Sequence, residues 1–144
     1  MRNRGLTFVE LVVVIAIMAV LLGVAGASLG NVVTKRRAAR FPGVLATMIE
    51  SLPPLAQAKQ ATIDVKRANG YVYVALDSVT VVPVTTRVKV PYGVSFSGSN
   101  TLLAAADPSG YVSTPENPIH IVVNGDDVYL HVGAAGDVNI SNTP

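Results

Sequence analysis

The sequence predicts an α+β protein in which a long N-terminal hydrophobic helix is followed by an antiparallel β-sheet head. No charged residue occurs between Leu11 and Thr34. Apolar residues then recur at helical spacing from Val44 to Leu52. Beyond Ala61 the chain consists of short β-branched runs separated by Gly, Asn, Asp and Pro, which is typical of strands and hairpins. With 144 residues in all, we expect one modest head domain.

Composition narrows the possible chemistry. Half of the residues are apolar and 14% are charged, which is too apolar for a disordered chain. The absence of cysteine excludes disulfides, thiolate metal sites and a thiol nucleophile. The sequence also lacks a Gly-x-Ser-x-Gly elbow, a glycine-rich phosphate loop and a recognisable carboxylate pair. We therefore expect a protein that is not an enzyme and that has no cofactor.

The charges are segregated along the chain. The formal net charge is +2, yet nine Lys and Arg side chains lie between Lys35 and Lys89. From Val90 onward there are five acidic residues and no Lys or Arg. Positive charge is therefore concentrated before Val90 and negative charge after it.

The uncharged stretch from Leu11 to Thr34 is long enough to cross a bilayer core of ~30 Å as a helix. Arg2 and Arg4 precede it, so the positive-inside tendency places the start of the chain in the cytoplasm and the head outside. A basic collar follows the stretch and weakens that argument; it consists of Lys35, Arg36, Arg37 and Arg40. The collar would hold lipid phosphate groups, hold the acidic face of a neighbouring molecule, or simply be solvated.

Glu10 is the most informative residue of the N-terminal segment. A carboxylate within an apolar run costs a few kcal/mol unless it is paired or reaches the interface. Gly5, Leu6 and Glu10 belong to the hexapeptide Gly-Leu-Thr-Phe-Val-Glu, which follows a short basic leader. This hexapeptide resembles the cleavage and methylation motif of type IV pilins and type II secretion pseudopilins.

The resemblance implies a processing route and a set of partners. A prepilin peptidase would cut between Gly5 and Leu6 and methylate the new amino terminus at Leu6. Glu10 would then be the fifth residue of the mature chain and would attract the terminal amine of an adjacent subunit. The implied partners are other pilin or pseudopilin subunits, the peptidase, an inner-membrane assembly platform and membrane lipid.

The predicted organisation has four parts. Residues 1–5 form a leader peptide and residues 6–34 a transmembrane or filament-core helix. Residues 35–60 form an amphipathic helix that packs on the head, and residues 61–144 form the β-rich head. The family implies a single-pass inner-membrane protein with a cytoplasmic N-terminus, which later enters a filament.

Two features of the first helix depart from the usual pattern. Leu6 replaces the commoner Phe or Met, and Ala27 stands where many relatives have a helix-kinking proline. Gly23, Gly26 and Gly30 would permit either local unwinding or close helix packing.

An ordinary secretory signal peptide is the alternative interpretation of the same segment. Arg2, Arg4, the apolar run and the small residues that end at Ala27 supply its three regions, and cleavage would leave Ser28 as the first residue. Glu10 argues against it, because a charge inside the apolar region of a signal peptide is disfavoured.

The amphipathic segment should pack one face on the head. Its apolar face comprises Val44, Leu45, Met48, Ile49 and Leu52. We expect Pro42 to lie in the first turn of this piece and Pro53-Pro54 to break it near Leu52. Leu55 to Gln60 would add a further turn.

Nine strands are predicted in the head: Thr62–Lys66, Tyr71–Leu76, Val79–Val82, Arg87–Val90, Val94–Phe96, Thr101–Ala104, Ile119–Val123, Val128–Val132 and Val138–Ile140. Asn69-Gly70 suits a two-residue hairpin turn, and this register pairs Val65 with Val74, Ile63 with Leu76 and Lys66 with Tyr73.

A second hairpin turns either at Asn124-Gly125 or over the longer loop from Asn124 to Asp127. Both choices place the same residues on the core face: Ile119, Ile121, Val128, Leu130 and Val132. His120 and His131 share the other face, and the longer loop would bring them opposite each other as a weak metal candidate.

Several acidic residues lie in predicted turns. Asp126, Asp127 and Asp137, with Asn124 nearby, invite a calcium hypothesis, but turn chemistry explains them more simply. Asp107-Pro108-Ser109-Gly110 and the segment from Pro115 to Pro118 likewise predict a turn and an exposed loop.

The order of one long helix and then many strands resembles the GspH/FimT group of minor pseudopilins. Three stretches carry this similarity: Tyr92–Phe96, Ile119–Val123 and Gly136–Val138. The similarity implies a minor subunit of a type II secretion pseudopilus or a type IV pilus.

A DNA-uptake minor pilin is a further alternative. Lys59, Lys66, Arg67, Arg87 and Lys89 favour it. The absence of basic residues after Lys89 argues against nucleic acid as a partner of the C-terminal region.

Overall fold

The described residues form two helices followed by ten strands. The computed structural model describes residues 8–76, 80–81 and 87–144. Helix α1 spans Phe8–Glu50 and helix α2 spans Leu52–Lys59. The strands are β1 Ile63–Ala68, β2 Tyr71–Leu76, β3 Thr80–Val81, β4 Val88–Lys89, β5 Val94–Phe96, β6 Leu102–Ala106, β7 Val112–Ser113, β8 Ile119–Val123, β9 Asp126–Val132 and β10 Val138–Ser141. The predicted α+β class is confirmed.

The chain divides into two compact units, residues 1–34 and residues 35–144. The first contains the apolar part of α1. The second contains the remainder of α1, helix α2 and all the strands.

Helix α1 continues through two places where the sequence allowed an interruption. It remains helical across Gly23, Gly26 and Gly30, so the local unwinding that these glycines permit does not occur. Pro42 lies inside α1, and the prediction that it begins a new helical piece was wrong. Proline lacks the amide hydrogen bond of a helix interior, and its ring crowds the carbonyl one turn earlier. Burial of Pro42 itself and of Phe41 and Leu45 in the core offsets this cost and keeps the segment helical.

The predicted break at the double proline is confirmed. Helix α1 ends at Glu50, and α2 begins at Leu52 with proline in its first turn, where the missing amide has no helical partner to lose. At the other end, Gln60 adopts a left-handed conformation, with φ of 51°, and its amide caps α2. The predicted further turn is therefore a short second helix.

The strands form two antiparallel sheets, where the sequence predicted strands without dividing them. The first sheet has the order β3-β2-β1-β6-β7, with β4 also pairing with β2, and the second has the order β10-β9-β8-β5. The predicted pairings of Ile63 with Leu76, Val65 with Val74 and Lys66 with Tyr73 are confirmed. Strand β7 was missed because two residues within a turn-rich segment show no alternation.

The core lies in the second unit, among the inner face of α1, helix α2 and both sheets. The C-terminal part of α1 contributes Ala38, Phe41, Leu45 and Ile49, all at most 2% exposed. The second sheet contributes Ile119, Ile121 and Leu130 from the predicted core face, and these are at most 3% exposed. The helix therefore supplies the apolar layer that the short strands need.

Candidate assembly site and charged surfaces

The N-terminal part of α1 is apolar on every side and lies open to solvent in the single chain. The large apolar side chains from Phe8 to Leu22 are between 44% and 80% exposed. Helices that are apolar all round are normally buried in a protein or a membrane, and exposed apolar patches of this extent mark interaction sites. This part of α1 is therefore a surface that requires a partner.

Glu10 lies in the first turn of α1 and is exposed. The positions that follow it on the same helical face, Val13, Val14 and Ile17, are all apolar. A carboxylate at this end of a helix also interacts favourably with the helix dipole. Glu10 is thus an acidic group at the start of an otherwise apolar surface, as the sequence predicted.

The predicted cleavage point lies outside the described residues, because Gly5 and Leu6 both precede Phe8. Arg2, Arg4 and the rest of the leader are outside them as well. Within the part of the chain that is described, no helix has the combination of length and apolar character that is needed to cross a membrane.

The basic collar lies at the start of the second unit. All four of its side chains are exposed. Ala38, which lies between Arg37 and Arg40, and Phe41, which follows Arg40, are buried. Arg36 and Arg40 are one helical turn apart, so they share a face of α1. Among the described residues, no carboxylate lies within ion-pair distance of any collar side chain.

The two histidines do not face each other. Val123 pairs with Asp126, so the second hairpin uses the two-residue turn Asn124-Gly125, in which both residues have positive φ. This register places His120 opposite Tyr129 instead of His131. The longer-loop alternative was wrong, because Asn124-Gly125 adopts the positive φ values of the two-residue turn. The metal hypothesis required the two imidazoles to face each other, and this register does not place them so.

Each histidine has partners of its own. His120 Nε2 lies 2.8 Å from Asp127 Oδ1, and its ring stacks on Tyr129 at a centroid distance of 4.5 Å. His131 Nε2 lies 3.2 Å from Ser141 Oγ, and His131 pairs across the sheet with Asn139. Over residues 8–76, 80–81 and 87–144, no group of three or more His, Asp or Glu side chains is arranged to hold a metal ion.

The turn predicted at Asp107 is confirmed and is held by the aspartate itself. Asp107 Oδ1 accepts hydrogen bonds from the Ser109 hydroxyl at 2.5 Å, the Ser109 amide at 2.9 Å and the Tyr111 amide at 3.1 Å. The Ser109 hydroxyl, with the backbone amides in addition, lowers the pKa of the Asp107 carboxyl below its usual value. The carboxylate therefore has a structural function.

Two basic residues of the head, Lys66 and Arg67, contact other groups within the fold. The Arg67 guanidinium donates to the backbone carbonyl of Asn100 at 2.7 Å and to that of Gly98, and it lies 4.8 Å from the Phe96 ring centroid. Lys66 Nζ lies 3.4 Å from the buried Asp64 carboxylate. These two cations stabilise the fold.

An open cleft between α1 and the second hairpin was not predicted. It has a volume of about 530 Å³, and its lining includes Ala39 and Pro42 on one side and Asp126 and Asp127 on the other. No sequence signal connects these segments, because they are more than 80 residues apart. Their closeness follows from the packing of the hairpin on the helix.

Comparison with known families supports the interpretation of the N-terminus. Residues 1–26 match the family model described as the prokaryotic N-terminal methylation motif. Neither the curated proteins nor the solved structures gave a significant match to the chain.

The motif and the fold together define the class of protein. The molecule is an α+β protein whose N-terminal helix, carrying a methylation motif, precedes antiparallel sheets. The motif over residues 1–26 is that of the type IV pilin and pseudopilin superfamily, and it supports a type IV pilin-like protein. The motif implies processing by a prepilin peptidase, a membrane-anchored N-terminal segment and assembly with other pilin subunits.

Proposed function

We propose that the protein is a minor structural subunit, of the pseudopilin kind, in a type II secretion pseudopilus or a type IV pilus. The observation that carries the proposal is the methylation motif over residues 1–26, which includes the exposed apolar side chains from Phe8 to Leu22 of helix α1. The protein acts by packing into a filament, and it is a substrate of processing enzymes instead of an enzyme itself.

Processing creates the assembly-competent form. Prepilin peptidase cuts between Gly5 and Leu6 and methylates Leu6, so that the mature chain begins at the apolar helix. Before assembly the chain is a single-pass inner-membrane protein, with its N-terminus in the cytoplasm and its head outside. Removal of Arg2 and Arg4 with the leader takes away the positive charge that precedes the helix.

Assembly then depends on two properties of α1. The exposed apolar side chains from Phe8 to Leu22 pack against the same helix of neighbouring subunits, where they leave water or lipid. Glu10 attracts the amino terminus of an adjacent subunit. Because desolvation offsets much of the attraction in a buried ion pair, this contact sets the register between subunits more than it strengthens their association.

The order of elements supports assignment to the GspH/FimT group of minor pseudopilins. The three stretches that carry the resemblance correspond to strands β5, β8 and the segment leading into β10, and all three lie in the second sheet. A minor subunit of this group contributes its head to the filament surface or tip.

The test is the mass of the mature full-length chain after expression with and without a prepilin peptidase. We expect a product that begins at Leu6 and carries one added methyl group, only when the peptidase is present. A product that begins at Ser28 would instead identify an ordinary secreted protein. A chain that keeps residues 1–5 in the presence of an active peptidase would also contradict the proposal.

A DNA-uptake minor pilin is the second candidate, and one local cluster favours it. The Arg87 guanidinium lies 3.7 Å from the Tyr71 ring centroid, and Lys89 pairs with Tyr71 across the first sheet. Exposed cations beside aromatic rings are common in surfaces that bind single strands. A gel shift with full-length chain in detergent tests this candidate, and loss of binding in Arg87→Ala together with sensitivity to salt is the supporting outcome.

A further inference from the structure

The second unit presents opposite charges on two neighbouring surfaces. The basic collar lies on α1, and the acidic residues Asp126 and Asp127 lie at the hairpin that forms one wall of the open cleft. All of these side chains are exposed. One molecule therefore carries both halves of a complementary pair.

The two surfaces do not neutralise each other within one molecule. The Asn124 amide donates to the Lys35 carbonyl at 3.2 Å, so the hairpin is held close to the start of the collar. Even so, in the described part of the chain the collar side chains form no ion pair with Asp126 or Asp127. Asp127 contacts His120 within the molecule, with 2.8 Å between Asp127 Oδ1 and His120 Nε2. On the opposite wall of the cleft, Ala39 and Pro42 present no charge to the carboxylates.

The collar is unfavourable to the isolated molecule. Arg36 and Arg40 have the spacing at which like charges on a helix repel each other. The planar guanidinium group also forms two parallel hydrogen bonds with a carboxylate. The cleft, at about 530 Å³, is open and large enough to admit an arginine side chain.

We propose that the basic collar of one copy binds the acidic cleft of the next copy. The inference rests on the proposed function, because it describes how subunits of this chain contact each other in a filament or pre-filament oligomer. The collar and the cleft are different surfaces, so one copy can contact a second copy through its collar and a third copy through its cleft. Repeated in this way, the contact extends along a filament unless its rotation closes a ring.

Cysteine cross-linking tests the contact directly, because the chain has no cysteine of its own. Two full-length versions with tags of different size are produced together in membranes that contain a prepilin peptidase. One carries Arg37→Cys beside Arg36, and the other carries Asn142→Cys at the edge of the cleft. After mild oxidation we expect a mixed-size dimer in excess of both same-size dimers.

The matched control replaces Asn142→Cys with Ser113→Cys, which is also exposed but lies on β7 in the other sheet. We expect the mixed dimer to fall several-fold with this control. It should also fall as ionic strength rises, since the Debye length shortens from about 10 Å at 0.1 M to about 3 Å at 1 M salt.

Charge reversal supplies the second test, with the same cysteine probes. Arg36→Glu with Arg40→Glu, or Asp126→Lys with Asp127→Lys, should each reduce the mixed dimer about tenfold or more, because like charges then face each other. A chain with all four reversals should regain it. Lys59→Glu with Lys89→Glu makes the same change in net charge as the collar reversal, at other exposed positions, and should have no effect.

The outcomes separate this inference from the proposed function. If the amount of mixed dimer is no greater than with the Ser113→Cys control, and the chain is still cut before Leu6 and still assembles, the inference is wrong and the proposed function stands. Vesicles that contain phosphatidylglycerol provide the other contrary result. If the collar reversal abolishes vesicle binding and leaves the mixed dimer unchanged, the collar serves lipid headgroups and the inference is wrong.

Discussion

The side-chain amide of Asn124 donates a hydrogen bond to the backbone carbonyl of Lys35 at 3.2 Å, across 89 positions of sequence. Asn124 also occupies the first position of the hairpin turn, with φ of 55°. Its backbone N–H donates to the Gly93 carbonyl at 2.7 Å. One residue thus forms the turn and links the second sheet to α1. It positions the acidic cleft beside the collar.

Asn124 substitutions should separate these two contributions. Asn124→Gly keeps the positive φ and removes the side-chain hydrogen bond, so we expect a loss of about 0.5–1.5 kcal/mol in the free energy of unfolding. Asn124→Ala should lose roughly 1 kcal/mol more, because alanine is strained in the left-handed region. Urea unfolding of the detergent-solubilised chain, followed by tyrosine fluorescence, measures both. Equal losses for the two variants would show that backbone conformation is not involved.

Leu45 tests the packing of α1 on the head. Its side chain is fully buried in the core, so Leu45→Ala should lower the free energy of unfolding by about 2–5 kcal/mol through lost burial and the cavity that remains. Val44, the preceding residue, is 40% exposed and provides the control. Val44→Ala should change stability by less than ~1 kcal/mol. Similar effects of the two substitutions in urea unfolding would contradict the assignment of the buried face.

The Asp107 turn predicts a defined dependence of stability on pH. Because the folded-state pKa of Asp107 is lowered, its stabilisation is fully present above the unfolded pKa of about 3.9 and is lost as pH falls through the folded value. Asp107→Asn should therefore be less stable than the parent chain at pH 6, and the difference should disappear in strong acid. Unfolding midpoints measured across this range test the prediction, with substitution of the exposed Asp126, Asp126→Asn, as control. If Asp107→Asn is less stable than the parent chain by the same amount at every pH, the carboxylate charge is not the source of the stabilisation.

Glu10 tests the assembly contact. Glu10→Ala should leave the amount of membrane-associated protein unchanged, because it removes a charge from an apolar segment. Incorporation into filaments should fall roughly tenfold or more, because in the proposed assembly the amino terminus of the neighbouring subunit would lose its buried partner. Glu50→Ala, at the other end of the same helix, is the control. Immunoblots of sheared filaments and of the membrane fraction give both quantities, and normal incorporation of Glu10→Ala would contradict its proposed role.

Local patterns in the sequence were sufficient for much of the fold. The break at Pro53-Pro54, the Asn69-Gly70 hairpin with its register and the core face of β8 and β9 all followed from short-range rules, and the structure confirms them. The same holds for the turn at Asp107. These features depend on the backbone limits of proline and glycine and on the two-residue period of strands, which operate over a few residues.

Glu10 and the motif that contains it were also identified from sequence alone, because a charge in an apolar run is informative wherever it occurs. What required the tertiary structure was the relation between distant segments. The passage of α1 through Pro42, the division of the strands into two sheets and the engagement of Arg67 with loop carbonyls all depend on partners far away in the chain. The acidic cleft belongs to the same group, since Ala39 and Asp127 become neighbours only when the hairpin packs on the helix. Local spacing predicts which face of a helix or strand is apolar, but it does not predict which other face will cover it. Because the hydrophobic effect is not directional, only the tertiary structure decides which apolar faces pack together.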